Sequence, residues 1–386
     1  MGTIQDRLVE KASRGRVPIM AAFELLPVCN LRCKMCYVRK SMAEVNRCGG
    51  LKDAEWWLRI AREAADLGLC YPLLTGGEPF LHPDFFEILE RMEAMGLQPS
   101  INSNGTLITR DVARWLGKHR PTRINITLYG ASAETYQDLC GDGSAFDRVH
   151  EGVELLKEYG VPVKFNCSVT PQNVRDLDQI MAYARQQKCP LQAATYMFPP
   201  LRRDCTQVGT NDRLSPEDAA AARVKLDYLQ GDPGWFLGQV QRYRQFVPLD
   251  RLPDLCHPVP GHMTCRAGLC SFWIDWQGQM TNCGMNGTAF VRIDERPFAE
   301  AWEELVRKTA EVTYLTDCSV CPNRRLCHPC VAMIACECGK QEGRPYYVCR
   351  MNEKLSQYYQ ECADRCYPDW REHVHLPTGD REACER

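Results

Sequence analysis

The feature that most constrains the fold of this chain is a regular alternation of short apolar segments with amphipathic segments. The apolar segments are typical of strands and cover residues 21–28, 71–77, 97–105, 123–129, 161–170 and 191–199. Between them, apolar residues at helical spacing predict helices over 51–68, 82–96, 109–119, 146–160 and 173–187. This order predicts α/β architecture with parallel strands and right-handed crossovers, in an open sheet or a partial barrel. In both, functional residues follow the carboxyl ends of the strands.

Composition and charge narrow the class of protein. The 386 residues include 47 basic and 49 acidic side chains, a formal net charge of -2, which indicates no nucleic-acid partner. The polar N-terminus lacks the apolar core of a signal peptide, and no apolar run is long enough to predict a membrane helix. We therefore expect a cytoplasmic protein that has no membrane partner.

The 23 cysteines are unusual for such a protein. A chain of this length without an export signal is not a disulfide scaffold, so clustered thiols indicate metal binding or redox chemistry. The clusters cover residues 29–36, 265–283 and 318–349. Scattered cysteines outside them are interpreted as free or core thiols, and these include Cys48, Cys70, Cys140, Cys167 and Cys189.

The first cluster, Cys29, Cys33 and Cys36, follows the first predicted strand directly. A tetrahedral metal held only by protein needs four ligands, so three thiolates leave one position open. The segment GGEP at 76–79 follows the second strand, where its glycines allow close approach of a ligand and Glu78 supplies an acceptor. Taken alone, each motif has an alternative interpretation: the cysteines could form a partial zinc site, and GGEP could be a simple turn. Their position at neighbouring strand ends favours one shared site.

The segments CNLRCKMC at 29–36 and GGEP at 76–79 resemble the motifs of the radical SAM superfamily. The resemblance implies a partial (β/α)6 TIM-like barrel whose three thiolates hold a 4Fe–4S cluster. It implies that S-adenosylmethionine chelates the open iron and is reductively cleaved to a 5′-deoxyadenosyl radical that abstracts hydrogen from the substrate. The residues implied in binding S-adenosylmethionine are Gly76, Gly77, Glu78, Ser103, Asn104, Thr127 and, near adenine, Tyr37.

The second half of the chain carries the other clusters. Alternation around Trp273 to Trp276 predicts a hairpin within 265–283, and the later paired CxxC segments alone are compatible with a zinc ribbon. Beside a radical SAM core, this region resembles the small, Cys-rich SPASM extension. That resemblance implies two auxiliary 4Fe–4S clusters, one on Cys265, Cys270, Cys283 and Cys330 and one on Cys318, Cys321, Cys327 and Cys349. The spacing before Cys330 is one residue short of the usual pattern, so Cys336 competes for its role.

These motifs predict the domain organisation. We expect an N-terminal extension at 1–19, the radical SAM barrel at 20–235, a linker at 236–264, the SPASM domain at 265–352 and a tail at 353–386. The tail contains Cys362, Cys366 and Cys384, to which no role is assigned.

The SPASM resemblance implies oxidation of a ribosomally made peptide, for example by a thioether crosslink. Sulfatase-maturing members carry an aspartate after the cysteine at position 283, whereas this chain has Gly284, which favours a crosslinking maturase. About twenty residues precede the first strand, which leaves no room for an N-terminal peptide-recognition domain. Either a separate peptide-recognition protein or contacts of a leader with the barrel must then dock the peptide, or the substrate is not a peptide. We also expect an electron donor such as flavodoxin or ferredoxin. The alternatives are a small-molecule SPASM oxidoreductase such as a dehydrogenase or haem-pathway enzyme, a sulfatase-maturase-like enzyme, and a non-catalytic zinc or electron-transfer protein.

Overall fold

The computed structural model describes residues 4–373 with the exception of 203–205, 207, 210–211, 253–258, 263–264 and 295. Parts of the predicted linker, the end of the predicted tail and Cys384 therefore lie outside the described residues. No helix of the described ranges is long and apolar enough to cross a membrane.

The strands form a nine-stranded sheet with the order β10-β9-β8-β1-β2-β3-β4-β5-β6 and a two-stranded sheet of β7 and β11. The six strands from β1 to β6 pair in parallel, as the alternation predicts. The strands are β1 Met20–Glu24, β2 Tyr71–Thr75, β3 Ser100–Ser103, β4 Arg123–Thr127, β5 Val163–Ser168, β6 Leu191–Ala194, β7 Val259–His262, β8 Ser271–Ile274, β9 Gln279–Cys283, β10 Asn286–Arg292 and β11 Thr313–Thr316.

Several helices begin at a residue whose side chain caps the first turn. Asp53, Thr109 and Ser215 each accept a hydrogen bond from a backbone N–H of the first turn that follows. The helices are α1 Ile4–Gly15, α2 Met42–Arg47, α3 Ala54–Asp66, α4 Phe85–Ala94, α5 Arg110–Lys118, α6 Ala133–Cys140, α7 Ala145–Glu158, α8 Leu177–Gln186, α9 Pro216–Leu229, α10 Pro233–Tyr243, α11 Phe298–Glu311, α12 Arg324–Cys327, α13 Val331–Cys338, α14 Tyr346–Cys366 and α15 Trp370–His373. The sequence analysis did not identify α1, α6, α11 or α14.

The core lies between the parallel strands and the helices that connect them. Side chains alternate along each strand, so one set faces the helices and the other faces the interior of the curved sheet. Fully buried apolar residues of the first set include Phe23, Leu74, Ile101, Ile126 and Phe165. Polar residues of the second set, Asn102 and Asn166 among them, line the interior cavity. The fold therefore places polar side chains where the strands end.

The predicted hairpin is present as β8 and β9, and it belongs to the central sheet. Strand β8 pairs in parallel with β1, with Met20 opposite Ser271 and Phe23 opposite Ile274. The Cys-rich half thus continues the sheet of the first half. Two predicted domain boundaries also fall within helices, since residue 235 lies in α10 and residue 352 in α14.

Candidate active site

The first cysteine loop and the GGEP segment are joined by backbone hydrogen bonds. Gly77 N–H donates to the Leu26 carbonyl at 2.7 Å, and Glu78 N–H donates to the Val28 carbonyl at 2.9 Å. A Cβ on Gly77 would lie 2.1 Å from that Val28 oxygen, and one on Gly76, where φ is +150°, would lie 2.3 Å from the Leu26 oxygen. The glycines therefore permit close approach of the chain itself, in addition to the ligand approach predicted from sequence.

Glu78 lies behind this loop, fully buried. Its carboxylate accepts from Ser103 Oγ at 2.9 Å, from the Asn104 N–H at 2.8 Å and from the Phe80 N–H at 3.3 Å. Burial raises the pKa of Glu78 to about 7, although these three donors oppose that rise. Ser103 and the Asn104 backbone thus position Glu78, a role that the sequence analysis did not assign to them.

Cys29, Cys33 and Cys36 are half-buried and line one cavity of about 390 Å³ at the strand ends. The Leu31 N–H donates to Cys29 Sγ at 3.4 Å, and the Arg39 N–H donates to Cys36 Sγ at 3.3 Å. Such donors stabilise thiolates, the form in which cysteine binds iron. Burial raises the pKa of Cys29 to about 12, so its thiolate needs a metal cation for compensation.

Three thiols that line one cavity fit an iron–sulfur cluster, whose irons are held by cysteine thiolates. Among the described residues, no three His, Cys, Asp or Glu side chains have the spacing of ligands on one metal ion. In a 4Fe–4S cluster the thiolates bind different irons and stand farther apart. The zinc-ribbon and partial-zinc alternatives therefore gain no support from the arrangement of these side chains.

The remaining wall of the cavity is neutral. The predicted residues Gly76, Gly77, Ser103, Asn104, Thr127 and Tyr37 all line it, whereas Glu78 does not. Its outer part is formed by Tyr196, Met197, Phe198 and Met285, which the sequence analysis missed. No charged side chain is among the described residues that line this cavity.

An ion pair between buried Glu24 and partly exposed Arg202 lies next to this cavity and was also missed. The Arg202 guanidinium donates to both carboxylate oxygens of Glu24 at 2.8 Å, and it lies 5.4 Å from the centre of the Tyr37 ring. Trp273 Nε1 donates to the same carboxylate at 3.1 Å. A Cβ on Gly284 would lie 2.8 Å from the Trp273 ring. The Trp273 indole thus occupies the space that a side chain at position 284 would need.

The auxiliary cysteines form two groups. Burial and the nearby charges of Cys318 and Cys321 raise the pKa of Cys349. Burial and the charges of Cys349, Cys321 and Cys318 likewise raise the pKa of Cys327. These four constitute the first group. In the second group, burial and then the charges of Cys283 and Cys265 raise the pKa of Cys330.

Cys336 and Cys270 occupy different surroundings. Burial, Glu337, Cys330 and Cys283 raise the pKa of Cys336, which is nearly inaccessible and faces the second group. Cys270 instead packs with Val9 and Ile19, and its Sγ accepts from Ser13 Oγ at 3.1 Å. The structure therefore brings Cys265, Cys283 and Cys330 together, with Cys336 beside them, and places Cys270 against α1.

Comparison with known proteins agrees with this geometry. The profile of the Radical SAM superfamily matches residues 23–184. The AdoMet-dependent heme synthase of Methanosarcina barkeri is 25% identical over 352 residues, which are 87% of this chain and 98% of the relative. Mycofactocin maturase MftC of Mycolicibacterium smegmatis is 31% identical over 331 residues, which are 83% of this chain and 80% of the relative.

One solved structure of similar fold is native anSMEcpe with bound AdoMet and the Cp18Cys peptide. It has a TM-score of 0.64 and 20% sequence identity, and the alignment covers 90% of this chain and 100% of that chain. The predicted fold class, a partial barrel followed by a small Cys-rich region, is confirmed by this likeness together with the parallel sheet.

Proposed function

The chain belongs to the radical SAM superfamily, and from this premise we propose that it reductively cleaves S-adenosylmethionine and oxidatively modifies a ribosomally made peptide, for example by a thioether crosslink. The observation that carries the peptide assignment is the edge of strand β6, which lines a cavity that shares residues with the one beside Cys29, Cys33 and Cys36. The maturase likeness and the peptide-bound structure of similar fold support it.

The residues of the site divide between two cofactors. A 4Fe–4S cluster on Cys29, Cys33 and Cys36 would supply, when bound, the electron that breaks the sulfonium carbon–sulfur bond of S-adenosylmethionine. The backbone at Gly76 and Gly77 would orient the methionyl group, and the Glu78 carboxylate would act through Ser103 and Asn104, which it holds at the cavity wall. Thr127, Asn104 and Ser103 would contact its ribose or carboxylate, and Tyr37 would lie near adenine.

The neutral cavity wall argues against a substrate with many charges. A tetrapyrrole of the haem pathway carries several carboxylates, which need basic partners when they are buried. The described lining offers Tyr196, Met197, Phe198 and Met285 and no cation. Aromatic and thioether groups favour an apolar or aromatic peptide side chain. The haem-pathway alternative rests on the heme synthase likeness and on basic side chains of a second, connected cavity, which include Arg242 and His328.

Strand β6 offers a backbone surface for a peptide. The carbonyls of Pro190 and Ala194 accept from β5, and peptide groups alternate along a strand, so those of Ala193 and Thr195 point away from β5. Both residues line a cavity of about 440 Å³, and β6 is the last strand of its sheet. An extended peptide could pair with this edge.

This second cavity also connects with the reaction site. It shares Ala194, Tyr196 and Phe198 with the cavity beside the thiols, and Arg242 and His328 contribute to its wall. A peptide paired with β6 would therefore place a neutral residue beside the thiols and an acidic group near the two basic side chains. A small molecule would need no such edge.

Oxidation of the peptide must remove a second electron and a proton. Auxiliary 4Fe–4S clusters on the group of Cys318, Cys321, Cys327 and Cys349 and on that of Cys265, Cys283 and Cys330 would supply a route for the electron to an external protein such as flavodoxin or ferredoxin. The fourth ligand of the second group would be the predicted Cys270 or the adjacent Cys336. For the proton, Tyr196 lines the cavity and donates to Glu337 at 2.7 Å.

The experiment that tests this function is an anaerobic assay of reconstituted protein with S-adenosylmethionine, a reductant and synthetic peptides encoded beside the gene. We expect 5′-deoxyadenosine and a peptide that has lost the mass of two hydrogen atoms for each crosslink, as measured by mass spectrometry. The Cys29→Ala variant, which cannot hold the cluster, should give neither product. Unchanged peptides together with turnover of a tetrapyrrole would contradict the proposal and favour the haem-pathway alternative.

A further inference from the structure

The outer part of the cavity beside the thiols is formed by two segments that are far apart in the chain. Met197 and Phe198 follow strand β6, and Met285 follows strand β9. Arg202 reaches both segments, because it lies shortly after Phe198 and its Nη1 donates to the Gly284 carbonyl at 3.4 Å. One side chain therefore joins the two segments that, under the proposed function, contact the peptide residue that reacts.

Arg202 is anchored at the end of strand β1 by Glu24. Its two terminal nitrogens each donate to a different oxygen of the Glu24 carboxylate at 2.8 Å, and Trp273 Nε1 donates to the same carboxylate at 3.1 Å. Glu24 is 1% exposed, whereas the side chain of Arg202 is 28% exposed. Arginine forms this two-pronged contact with a carboxylate, and lysine does not. The anchor is therefore specific for arginine.

The same guanidinium also contacts the first cysteine loop. It lies 5.4 Å from the centre of the Tyr37 ring, a distance at which a cation is attracted by an aromatic face. Tyr37 directly follows Cys36 and lines the cavity. Arg202 thus connects the outer wall of the cavity with the loop that carries the three thiols.

We propose that Arg202, anchored by Glu24, is a positioning residue that fixes the outer cavity wall and with it the peptide residue that loses hydrogen. Arg202 lies outside the described lining of the cavity, so it acts through Met197, Phe198 and Met285. Transfer of the hydrogen atom breaks a carbon–hydrogen bond of the peptide and forms one at the 5′ carbon of deoxyadenosine. A displacement of about 1 Å can slow such a step roughly a hundredfold. This inference rests on the proposed function.

A loosened wall would separate cleavage of S-adenosylmethionine from reaction of the peptide. The cysteine loop and the GGEP segment are joined by their own backbone hydrogen bonds, so cleavage should continue without the ion pair. The 5′ carbon would then take its hydrogen atom from a thiol of the buffer, such as dithiothreitol, in place of the peptide. The amount of modified peptide per 5′-deoxyadenosine therefore reports the position of the peptide.

The simpler interpretation is that the ion pair only stabilises the fold, since it joins the end of β1 to Trp273 on the neighbouring strand β8. Loss of a purely structural pair would lower the amount of folded enzyme and thus both products together. The ratio of modified peptide to 5′-deoxyadenosine would not change. This ratio therefore separates positioning from stability.

The test uses the anaerobically reconstituted full chain and a synthetic peptide, encoded beside the gene, that carries deuterium on its carbon atoms. Mass spectrometry measures the modified peptide and the deuterated fraction of 5′-deoxyadenosine. Fluorescence anisotropy of a labelled peptide, without reductant, measures its Kd. We expect Arg202→Lys to lower both the product ratio and the deuterated fraction about tenfold and to raise the Kd, while the rate of 5′-deoxyadenosine formation stays near that of the parent.

Two further variants sharpen the test. Glu24→Gln removes the charge of the anchor and should change the ratio in the same direction, and combining it with Arg202→Lys should add little, because the pair acts as one unit. Arg59→Lys is the matched control and should keep the parent ratio. Arg59 is 35% exposed, pairs with Glu63 at 2.9 Å and donates to the Asp294 carbonyl at 3.3 Å, but it lies outside the described lining of the cavity.

The proposal is overturned if Arg202→Lys keeps the parent ratio, or if both products fall together. If Arg202→Lys loses its iron or its circular dichroism spectrum, Glu24→Gln decides the matter, because it leaves Arg202 in place. A parent protein that forms 5′-deoxyadenosine but modifies no peptide would instead refute the proposed function, and the inference with it.

Discussion

Glu78 is buried without a basic side chain among its hydrogen-bond partners, and burial raises its pKa to about 7 from the ordinary value of 4.5. Between these two values the folded protein binds the Glu78 proton more tightly than the unfolded chain does. The stability contributed by the protonated form is therefore complete below the ordinary pKa and is lost as the pH rises through 7.

We expect the free energy of unfolding of the metal-free protein to fall by about 3 kcal/mol between pH 4.5 and 8, relative to that of the Glu78→Gln variant. Glutamine keeps the shape of the side chain and does not ionise, so other titrating groups cancel in the comparison. Urea unfolding curves measured across this pH range for both proteins give the difference. Parallel pH dependences would contradict a titrating carboxyl at this position.

In the reconstituted enzyme, Glu78→Gln should raise the requirement for S-adenosylmethionine while iron content stays near that of the parent. The charged acceptor that holds Ser103 and Asn104 at the cavity wall is lost. A charge-assisted hydrogen bond is worth about 1.5–3 kcal/mol, which corresponds to roughly a tenfold to hundredfold rise in the KM for S-adenosylmethionine. Iron analysis and 5′-deoxyadenosine formation on one preparation measure both quantities. Loss of iron in parallel with activity would assign Glu78 to the loop structure instead.

Gly284 gives a prediction about stability. Alanine at this position would bring a Cβ to 2.8 Å from the Trp273 ring, whose indole N–H donates a hydrogen bond to Glu24. We expect Gly284→Ala to lower the free energy of unfolding by about 1–3 kcal/mol through overpacking. Gly287→Ala is the matched control, because Gly287 is exposed and a Cβ there meets nothing within 4 Å. Equal stability of the two variants would show that the indole moves aside easily.

At the scale of elements, the free edge of β6 can be tested with proline. Ala193→Pro removes an N–H that points away from β5, so the fold should persist while the KM for a peptide substrate rises about tenfold. Ala194→Pro removes an N–H on the β5 side and should lower the free energy of unfolding instead. Thermal unfolding and peptide kinetics separate the two effects. An unchanged KM for Ala193→Pro would exclude pairing of the peptide with this edge.

Elements that local pattern determines could be predicted from the sequence. The strands from β1 to β6 alternate with helices that have apolar stripes, and α3 and α5 also have side-chain caps; these features act within a few residues. Pairing of β8 with β1 depends on residues far apart in the chain, and no local pattern reports it. The sequence analysis did not identify helix α6, because its 8 residues are too few to show a strong helical period.

The same distinction applies to the site. Short motifs located Cys29, Cys33, Cys36 and the GGEP segment, because their chemistry depends on sequence spacing. The Glu24–Arg202 pair and the hydrogen bond of the Arg32 N–H to the Cys140 carbonyl join residues from distant segments, so sequence spacing could not predict them. Cys270 was assigned by family spacing to a cluster, whereas the structure surrounds it with α1 residues. Its role as a ligand stays a prediction.

At the scale of the whole molecule, the auxiliary cysteines should act after cleavage of S-adenosylmethionine. With three clusters, reconstituted protein should contain about 12 iron and about 12 sulfide per chain. We expect folded Cys349→Ala to form 5′-deoxyadenosine but little oxidised product, because one route for the second electron is lost. Circular dichroism, metal analysis and both product assays on one preparation measure this. Full product formation by that variant, or stoichiometric zinc in the parent, would contradict the assignment.

The pairing of β8 with β1 has a consequence for synthesis on the ribosome. Strand β1 is made early, and about 250 residues must follow before Ser271 can pair with Met20. Until then one edge of β1 has exposed peptide groups, and unpaired strand edges promote association between chains. Closing so long a segment is also slow. A nascent chain that stalls after α10 would thus present an open sheet edge to other chains, and chaperone binding should concentrate in this interval of translation.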